Sequence, residues 1–311
     1  MSDKLTNKDL LGLRETPVED MLMILETAKE MKQIVLSQNK KASHLQGKSI
    51  VSLFYENSTR TRMSFELASK YLGGVAANIS ASASSVSKGE TLIDTGRTLD
   101  VMGTDVIIMR HNCSGAPHLL AKHVEASVIN AGDGMNEHPT QGLLDMFTMI
   151  EAKGNLKGKK VAIVGDILHS RVVRSNIWGL NKLGAHVSVA GPQTLMPSCI
   201  EDLGVKAYNN VEGAIEDADV VMGLRIQQER QNKGLFPSVR EYSSVFGIND
   251  KRLSLAKPDA LLLHPGPVNR GVEITSSIMD GDQSLIDTQV LNGVAVRMAI
   301  LYLVIRRGSN E

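Results

Sequence analysis

Seven short apolar runs, rich in Val, Ile and Leu, punctuate the chain: "SIVSLF", "DVIIMR", "SVINA", "KVAIVGD", "HVSVAG", "DVVMGLR" and "ALLLHPG". Each has strand length, and each is trailed by a polar loop and then by apolar positions at helical spacing. Alternating strand and helix predicts parallel sheets covered by helices on both faces, an α/β fold. Near the start, "TPVEDMLMILETAKEMKQIV" predicts a long helix, with Thr16 as N-cap, Pro17 at the first helical position and Glu19 closing a capping box. Near the end, "VLNGVAVRMAILYLVI" is the longest apolar stretch, interrupted by Asn292 and Arg297. It falls short of the roughly 20 residues of a membrane span, so a helix docked on a protein core is expected, and no membrane.

The Gly/Lys stretch "AKGNLKGKK", residues 152–160, marks a domain boundary. Two doubly wound parallel-sheet domains are expected, 1–150 and 151–286, joined by long helices. A C-terminal helix, about 287–307, is expected to pack back on the N-terminal domain. The Ser-rich "SASASSVSKGE", residues 80–90, reads as a loop. A length of 311 residues suits two domains of ordinary size. The 34 basic and 34 acidic residues cancel, so no broad nucleic-acid surface is expected and any basic site is local. Two cysteines without a C-x-x-C pair, behind the polar start "MSDKLTNKDL", point to a reduced, cytoplasmic compartment without structural zinc.

Ligands of open parallel sheets bind beyond the carboxyl ends of the strands, so the residues just past each run are the ones to carry chemistry. "SIVSLF" leads to Ser58, Thr59, Arg60, Thr61 and Arg62; "DVIIM" leads to Arg110 and His111; "SVINAGDGMNE" leads to His138-Pro139-Thr140-Gln141. "KVAIVGDI" leads to a segment ending at Arg171, "DVVMGL" to Arg225, Ile226 and Gln227, and "ALLL" to "HPGPVNR". These ends are mainly basic, amide or hydroxyl, which suits anionic ligands. Ser58 or Thr59 could simply cap a helix; alternatively the helix start binds a phosphate, with the hydroxyls and a bidentate Arg60 assisting. His138 could likewise be a capping residue, or a neutral donor to a carbonyl oxygen with Gln141 touching an adjacent amide. A ligand carboxylate would relieve the opposition between Arg171 and the dipole of the helix it opens.

The cluster is not a triphosphate-binding loop, and "VAIVGDILHSRVV" has one glycine where a dinucleotide fingerprint needs three. No H-E-x-x-H, paired Cys/His cluster or G-x-S-x-G appears. The chemistry expected is positioning and charge stabilisation, with no cofactor, no metal and no covalent nucleophile.

Five segments in order, "FYENSTRTRMSFE", "GDGMNEHPTQGLLDMFTM", "GDILHSRVVRSN", "RIQQER" and "HPGPVNRGVEI", closely resemble the carbamoyltransferase family, and within it the aspartate carbamoyltransferase catalytic chains. The resemblance runs from about residue 10 to 305. It implies carbamoyl transfer from carbamoyl phosphate to L-aspartate, the second step of pyrimidine synthesis. By resemblance Ser58, Thr59, Arg60 and Thr61 hold the phosphate. Arg110 and His138 reach the carbamoyl oxygen or phosphate, Gln141 the carbamoyl amine, and the backbone of Gly266 and Pro267 closes the carbamoyl side. Arg171, Arg225 and Gln227 hold aspartate. The catalytic set implied is Arg60, Thr61, Lys88, Arg110 and His138, with Lys88 also among the residues that bind aspartate. The family forms homotrimers in which a Ser/Lys loop enters the neighbour's site; Lys88 matches its lysine, and Ser84 or Ser85 its serine. Regulatory or dihydroorotase-type partner chains are left open. Asn57 stands where many relatives carry Pro, and Gly266 where some carry Leu, a change expected to keep the backbone carbonyl while loosening the loop.

The alternative is an ornithine or other amine carbamoyltransferase. Ornithine would need an acidic partner for its second amine, whereas Arg171 and Arg225 suit two carboxylates. The ornithine enzymes usually carry Cys in "HCLP", and here the segment is "HPGP". A non-catalytic anion-binding homologue would show a broken motif, and none is broken.

Overall fold

A computed structural model describes residues 4–80, 89–226 and 238–308. The chain divides into two compact units, Met1–Phe147 with Leu291–Glu311, and Thr148–Val290. Both are built on all-parallel sheets flanked by helices, the α/β class that alternating apolar runs predict.

In the first unit the strands are β1 (Ser49–Phe54), β2 (Val75–Ser80), β3 (Val106–His111) and β4 (Ser127–Asp133), in the order β2-β1-β3-β4. Helices α1 (Val18–Leu36), α2 (Thr59–Tyr71), α3 (Leu92–Val101), α4 (Ala116–Ala121) and α5 (Pro139–Lys153) connect and cover them. Val51, Leu53, Ile107, Met109 and Val128 pack with Leu99 and Leu120. Their strand neighbours Ile50, Ile108 and Ile129 are equally buried, so both faces of the sheet are dry. Burying each such side chain contributes about 1.5–3 kcal/mol, which is why these runs hold almost no polar residue.

The second unit contains β5 (Lys160–Val164), β6 (His186–Ala190), β7 (Lys206–Tyr208), β8 (Val220–Gly223) and β9 (Leu261–Leu263), in the order β7-β6-β5-β8-β9. Its helices are α6 (Arg171–Lys182), α7 (Val211–Ile215), α8 (Val239–Phe246), α9 (Asp250–Leu253) and α10 (Ser276–Met279). Ala162, Val164, Val221 and Leu262 pack with Ile215, Ile248 and Ile274. The division between units falls inside α5 and again inside the last helix, α11 (Ile286–Gly308).

Three sequence expectations change. Strands β2 and β7 had no apolar run to announce them. Both are edge strands, and β2 is largely exposed, so neither needs continuous hydrophobicity. Thr16 does not cap α1. The carbonyl of Pro17 accepts the first helical bond, from Met21 N at 3.1 Å. The Thr16 hydroxyl instead donates to Gly12 O at 2.7 Å, closing a turn before the helix. Arg297, which interrupts the C-terminal apolar stretch in the sequence, is 4% exposed. Helix α11 is long and apolar enough to cross a membrane by length and composition, yet 72% of its most apolar window is buried inside the protein.

Candidate active site

In the first sheet the chain moves from β1 to β2 on one side and then returns to β3 on the other. Such a reversal, at the carboxyl ends of β1 and β3, is where folds of this kind bind ligands. "ENSTRTR" follows β1 and Arg110-His111 ends β3. The two are held in register, Phe54 opposite Arg110 and Tyr55 N donating to Arg110 O at 2.9 Å.

Ser58 is the N-cap of α2 in extended conformation, but its side chain makes no capping bond. The capping reading therefore does not account for this hydroxyl. The first turn of α2 carries no acidic residue, and first-turn amides point past a helix end, which together favour an anion there. Thr59 and Arg60 are exposed, Ser58 is half-buried and Thr61 buried. The second guanidinium is occupied otherwise: Arg62 lies over the Phe54 ring at 5.3 Å and donates to Ser80 Oγ at 3.3 Å. So Arg60 faces outward while Arg62 ties α2 to the sheet.

Arg110 is held by a carboxylate from the segment after β1, with Nε 3.2 Å from Glu56 Oε2, and by Ala131 O, 3.4 Å from Nη1. Neighbouring His111 packs against Tyr55 with the rings tilted and their centroids 4.5 Å apart, and burial pushes its pKa below the usual imidazole value. His138 sits at the start of α5, its carbonyl accepting from Gln141 N and Gly142 N. Its ring is buried, with the Thr140 hydroxyl 3.4 Å from Nδ1. Both cap geometry and buried imidazole are thus present, and they are compatible, because the capping uses only the backbone.

The loop that delivers His138 is built around fully buried Asp133. Its carboxylate accepts from Gly115 N at 2.7 Å, Asn130 Nδ2 at 2.8 Å and Glu137 N at 3.1 Å. Glu137 in turn accepts from Leu13 N at 2.7 Å and Arg14 N at 3.2 Å. One turn into α5, Gln141 donates through Nε2 to Asp145 Oδ1 at 2.9 Å.

The second sheet repeats the logic. From β5 the chain runs outward to β6 and β7, then returns to β8 and β9, so the reversal lies between β5 and β8. Arg171 follows β5 and Arg225 follows β8. Arg171 is the first residue of α6 and 3% exposed. Ser170 caps that helix, accepting from Val173 N. Asp166, fully buried, accepts from His169 N at 3.0 Å and faces His169 Nδ1 at 2.9 Å, fixing the turn before Arg171. Arg225 is followed by Ile226, whose N–H donates to Glu273 Oε1 at 3.0 Å. Glu273 also accepts from Asn269 N at 2.8 Å and Asn269 Nδ2 at 2.7 Å. It joins the Arg225 segment to the loop after β9, and burial pushes its carboxyl above the usual range.

That loop carries Gly266 and Pro267, joined by a cis peptide bond, and both lie in the second unit. Gly266 has φ +64°, a conformation that favours glycine, and its N–H donates to His264 Nδ1 at 2.8 Å. That bond anchors the turn through the backbone at this position. Lys88, Gln227, Ser84 and Ser85 lie outside the described residues.

Sequence reasoning overlooked the carboxylates that position the cations and amides: Glu56, Asp133, Asp145, Asp166 and Glu273. Glu56 was within reach, being an acid inside an anion-binding cluster. The others find their meaning only in the fold. Among the described residues, no group of three or more His, Cys, Asp or Glu could hold a metal ion.

Two family descriptions match the chain in tandem. "Aspartate/ornithine carbamoyltransferase, carbamoyl-P binding domain" covers residues 8–151, and "Aspartate/ornithine carbamoyltransferase, Asp/Orn binding domain" covers 157–304. An aspartate carbamoyltransferase catalytic subunit from Ruminiclostridium cellulolyticum is 72% identical over 304 residues, 98% of this chain and 97% of that one. A protein of the same description from Acetivibrio thermocellus is 70% identical over 307 residues, 99% and 98% of the two chains. Among solved structures, aspartate transcarbamoylase from Trypanosoma cruzi in complex with N-(phosphonacetyl)-L-aspartic acid matches with TM-score 0.87 and 30% identity over 96% of each chain. Ornithine carbamoyltransferase from Pyrococcus furiosus matches with TM-score 0.87 and 32% identity over 99% of each chain. With both domains matched in order and nearly end to end, the chain belongs to the aspartate/ornithine carbamoyltransferase family.

Proposed function

We propose that the protein transfers the carbamoyl group of carbamoyl phosphate to the amine of L-aspartate, giving N-carbamoyl-L-aspartate and phosphate, as in the second step of pyrimidine biosynthesis. The observation that carries the choice of acceptor is the pair of arginines, Arg171 and Arg225, one after each strand at the second sheet's reversal. Two guanidiniums suit a dicarboxylate and oppose a diamine. The 72% identity to a chain described as an aspartate carbamoyltransferase catalytic subunit supports the same reading.

The donor is already activated, so the protein orients it and stabilises charge as that charge develops. In this reading the start of α2, with Ser58, Thr59, Arg60 and Thr61, holds the phosphate. Arg110 and His138 donate to the carbamoyl oxygen or phosphate, Gln141 meets the carbamoyl amine, and the backbone of Gly266 and Pro267 completes the carbamoyl contacts. Arg171, Arg225 and Gln227 hold aspartate. The amine attacks the carbamoyl carbon, and His138 offers a hydrogen bond to the oxygen as it gains negative charge. Collapse breaks the carbon–oxygen bond to phosphate, and the departing phosphate takes the amine's proton. No separate general base is needed.

The assembly belongs to the same proposal. A homotrimer in which Lys88 serves a neighbour's site is the reading supported by the resemblance of its Ser-rich segment to the family's Ser/Lys loop.

The test is product formation from carbamoyl phosphate with L-aspartate or L-ornithine as acceptor. Turnover with aspartate and none with ornithine is expected; ornithine turnover at a comparable rate would overturn the assignment.

A further inference from the structure

A glutamine amide has a donor end and an acceptor end, and the side chain alone does not decide which end meets a ligand. At Gln141 the surroundings decide. Nε2 donates to Asp145 Oδ1 at 2.9 Å, one turn along α5. The two residues are 8% and 0% exposed, so water offers little alternative. An ionised carboxylate only accepts, so the reversed amide would set oxygen against oxygen. With an Nε2 N–H given to Asp145, the amide's direction is fixed and Oε1 is its accepting end. A carbamoyl –NH₂ only donates, and it is complementary to that oxygen. An acetyl methyl group is not.

The charge on Asp145 has its own support. It acts on the guanidinium of Arg297, a buried residue of α11. Arg297 donates to Gly293 O at 2.8 Å and lies over the Phe65 ring of α2 at 5.2 Å. Burial lowers the Arg297 pKa to about 10, which leaves it protonated at neutral pH. The two opposite charges attract each other, which offsets part of the cost of burying either. Gly293 makes room for the arrangement, since a Cβ there would lie 2.6 Å from Arg297 Nη1.

We propose that Asp145 is a positioning residue: it fixes the Gln141 amide with its oxygen toward the donor, and so selects a carbamoyl group over an acyl group that lacks the NH₂. This rests on carbamoyl phosphate being the donor.

Dissociation constants for carbamoyl phosphate and acetyl phosphate, measured by calorimetry on wild type, Asp145→Asn, Gln141→Ala and the double variant, test it. Wild-type binding and turnover of carbamoyl phosphate are measured first, so failure of the functional reading is seen separately. Asparagine can present either end to Gln141, so the amide is no longer forced. Asp145→Asn should weaken carbamoyl phosphate by roughly 3- to 10-fold, as for the net worth of one hydrogen bond, and acetyl phosphate by less than about twofold. The double variant should match Gln141→Ala, because no amide remains to orient. Equal weakening of both donors, or additive effects in the double variant, would reduce Asp145 to a structural residue. Stabilisation by inorganic phosphate in a melting experiment reports whether each variant is folded. If Asp145→Asn is not, Asp145→Glu decides, because it keeps an acceptor-only group: retained preference for carbamoyl phosphate supports the proposal, and lost preference in a folded protein overturns it.

Discussion

Replacing Glu273 with glutamine removes one acceptor at a point where three N–H groups converge. Oε1 accepts from Ile226 N at 3.0 Å and Asn269 Nδ2 at 2.7 Å, while Oε2 accepts from Asn269 N at 2.8 Å. Glutamine keeps the first two on its oxygen and turns its own NH₂ toward Asn269 N–H, donor against donor. With the site 1% exposed, water gives no rescue. An orphaned buried donor costs about 1–3 kcal/mol, part of it offset because the carboxylate charge is no longer buried. Local opening at Asn269 and Ile226 should therefore be easier by up to roughly 5- to 150-fold in amide exchange at pH 8. Hydrogen exchange read by mass spectrometry on peptides spanning those residues measures this. Arg225 adjoins Ile226, and Asn269 lies in the loop that carries Gly266 and Pro267, so KM for aspartate should rise and carbamoyl phosphate binding should weaken with it. The wild-type pH profile carries a second signature. Burial raises the folded Glu273 pKa above the ordinary value of 4.5, so folding favours the protonated acid. Its contribution to stability is full below that ordinary value and is lost as pH rises through the raised one. The glutamine variant should lack this fall. Exchange at Asn269 and Ile226 as slow as in wild type at pH 8 would refute the reasoning.

Arg171→Ala should remove a charge-assisted contact worth roughly 1.5–3 kcal/mol from aspartate binding and leave carbamoyl phosphate binding near normal; steady-state kinetics with an equilibrium titration of the donor separate the two. His138→Ala should lower kcat by roughly 10²–10³-fold, as for loss of an oxyanion donor, and a folded variant with normal turnover would leave only the helix-start role. Arg60→Ala and Lys88→Ala should each be inactive alone, but equal mixtures reassembled from dissociated subunits should recover about 25% of sites, one half times one half, if the residues serve one site from adjacent subunits. No recovery in proven mixed trimers would place Lys88 elsewhere.

The parts legible in the sequence are those that repeat locally. Continuous runs such as "KVAIVGD" have to be buried on both faces and therefore announce central strands. Edge strands β2 and β7 escape that demand and were invisible. The ligand-facing candidates were legible because strand ends in this architecture are where function sits, and the residues there broke the expected mixture of charges. Their supports were not legible. Glu137 reaches Leu13 across 124 residues and Glu273 reaches Ile226 across 47, distances at which spacing carries no signal. Arg297 was misleading for the same reason, since a charge in an apolar run reads as an interruption until the Phe65 ring beneath it and the opposite charge of Asp145 are known.

The residues that complete the first unit come from both ends of the chain, and this orders events during synthesis. Arg307 Nε bonds Leu5 O across 302 residues, Tyr302 meets His44 at 5.2 Å, and Arg297 reaches Phe65. None of these contacts can form until the last helix has left the ribosome. The second unit, Thr148–Val290, is continuous and needs nothing translated after it. Although it is made later, it can finish folding first, while the N-terminal segment waits with Phe65 and Asp145 uncovered. A truncation that removes only the last dozen or so residues would therefore strike hardest at the opposite end of the polypeptide, exposing it to proteases and chaperones.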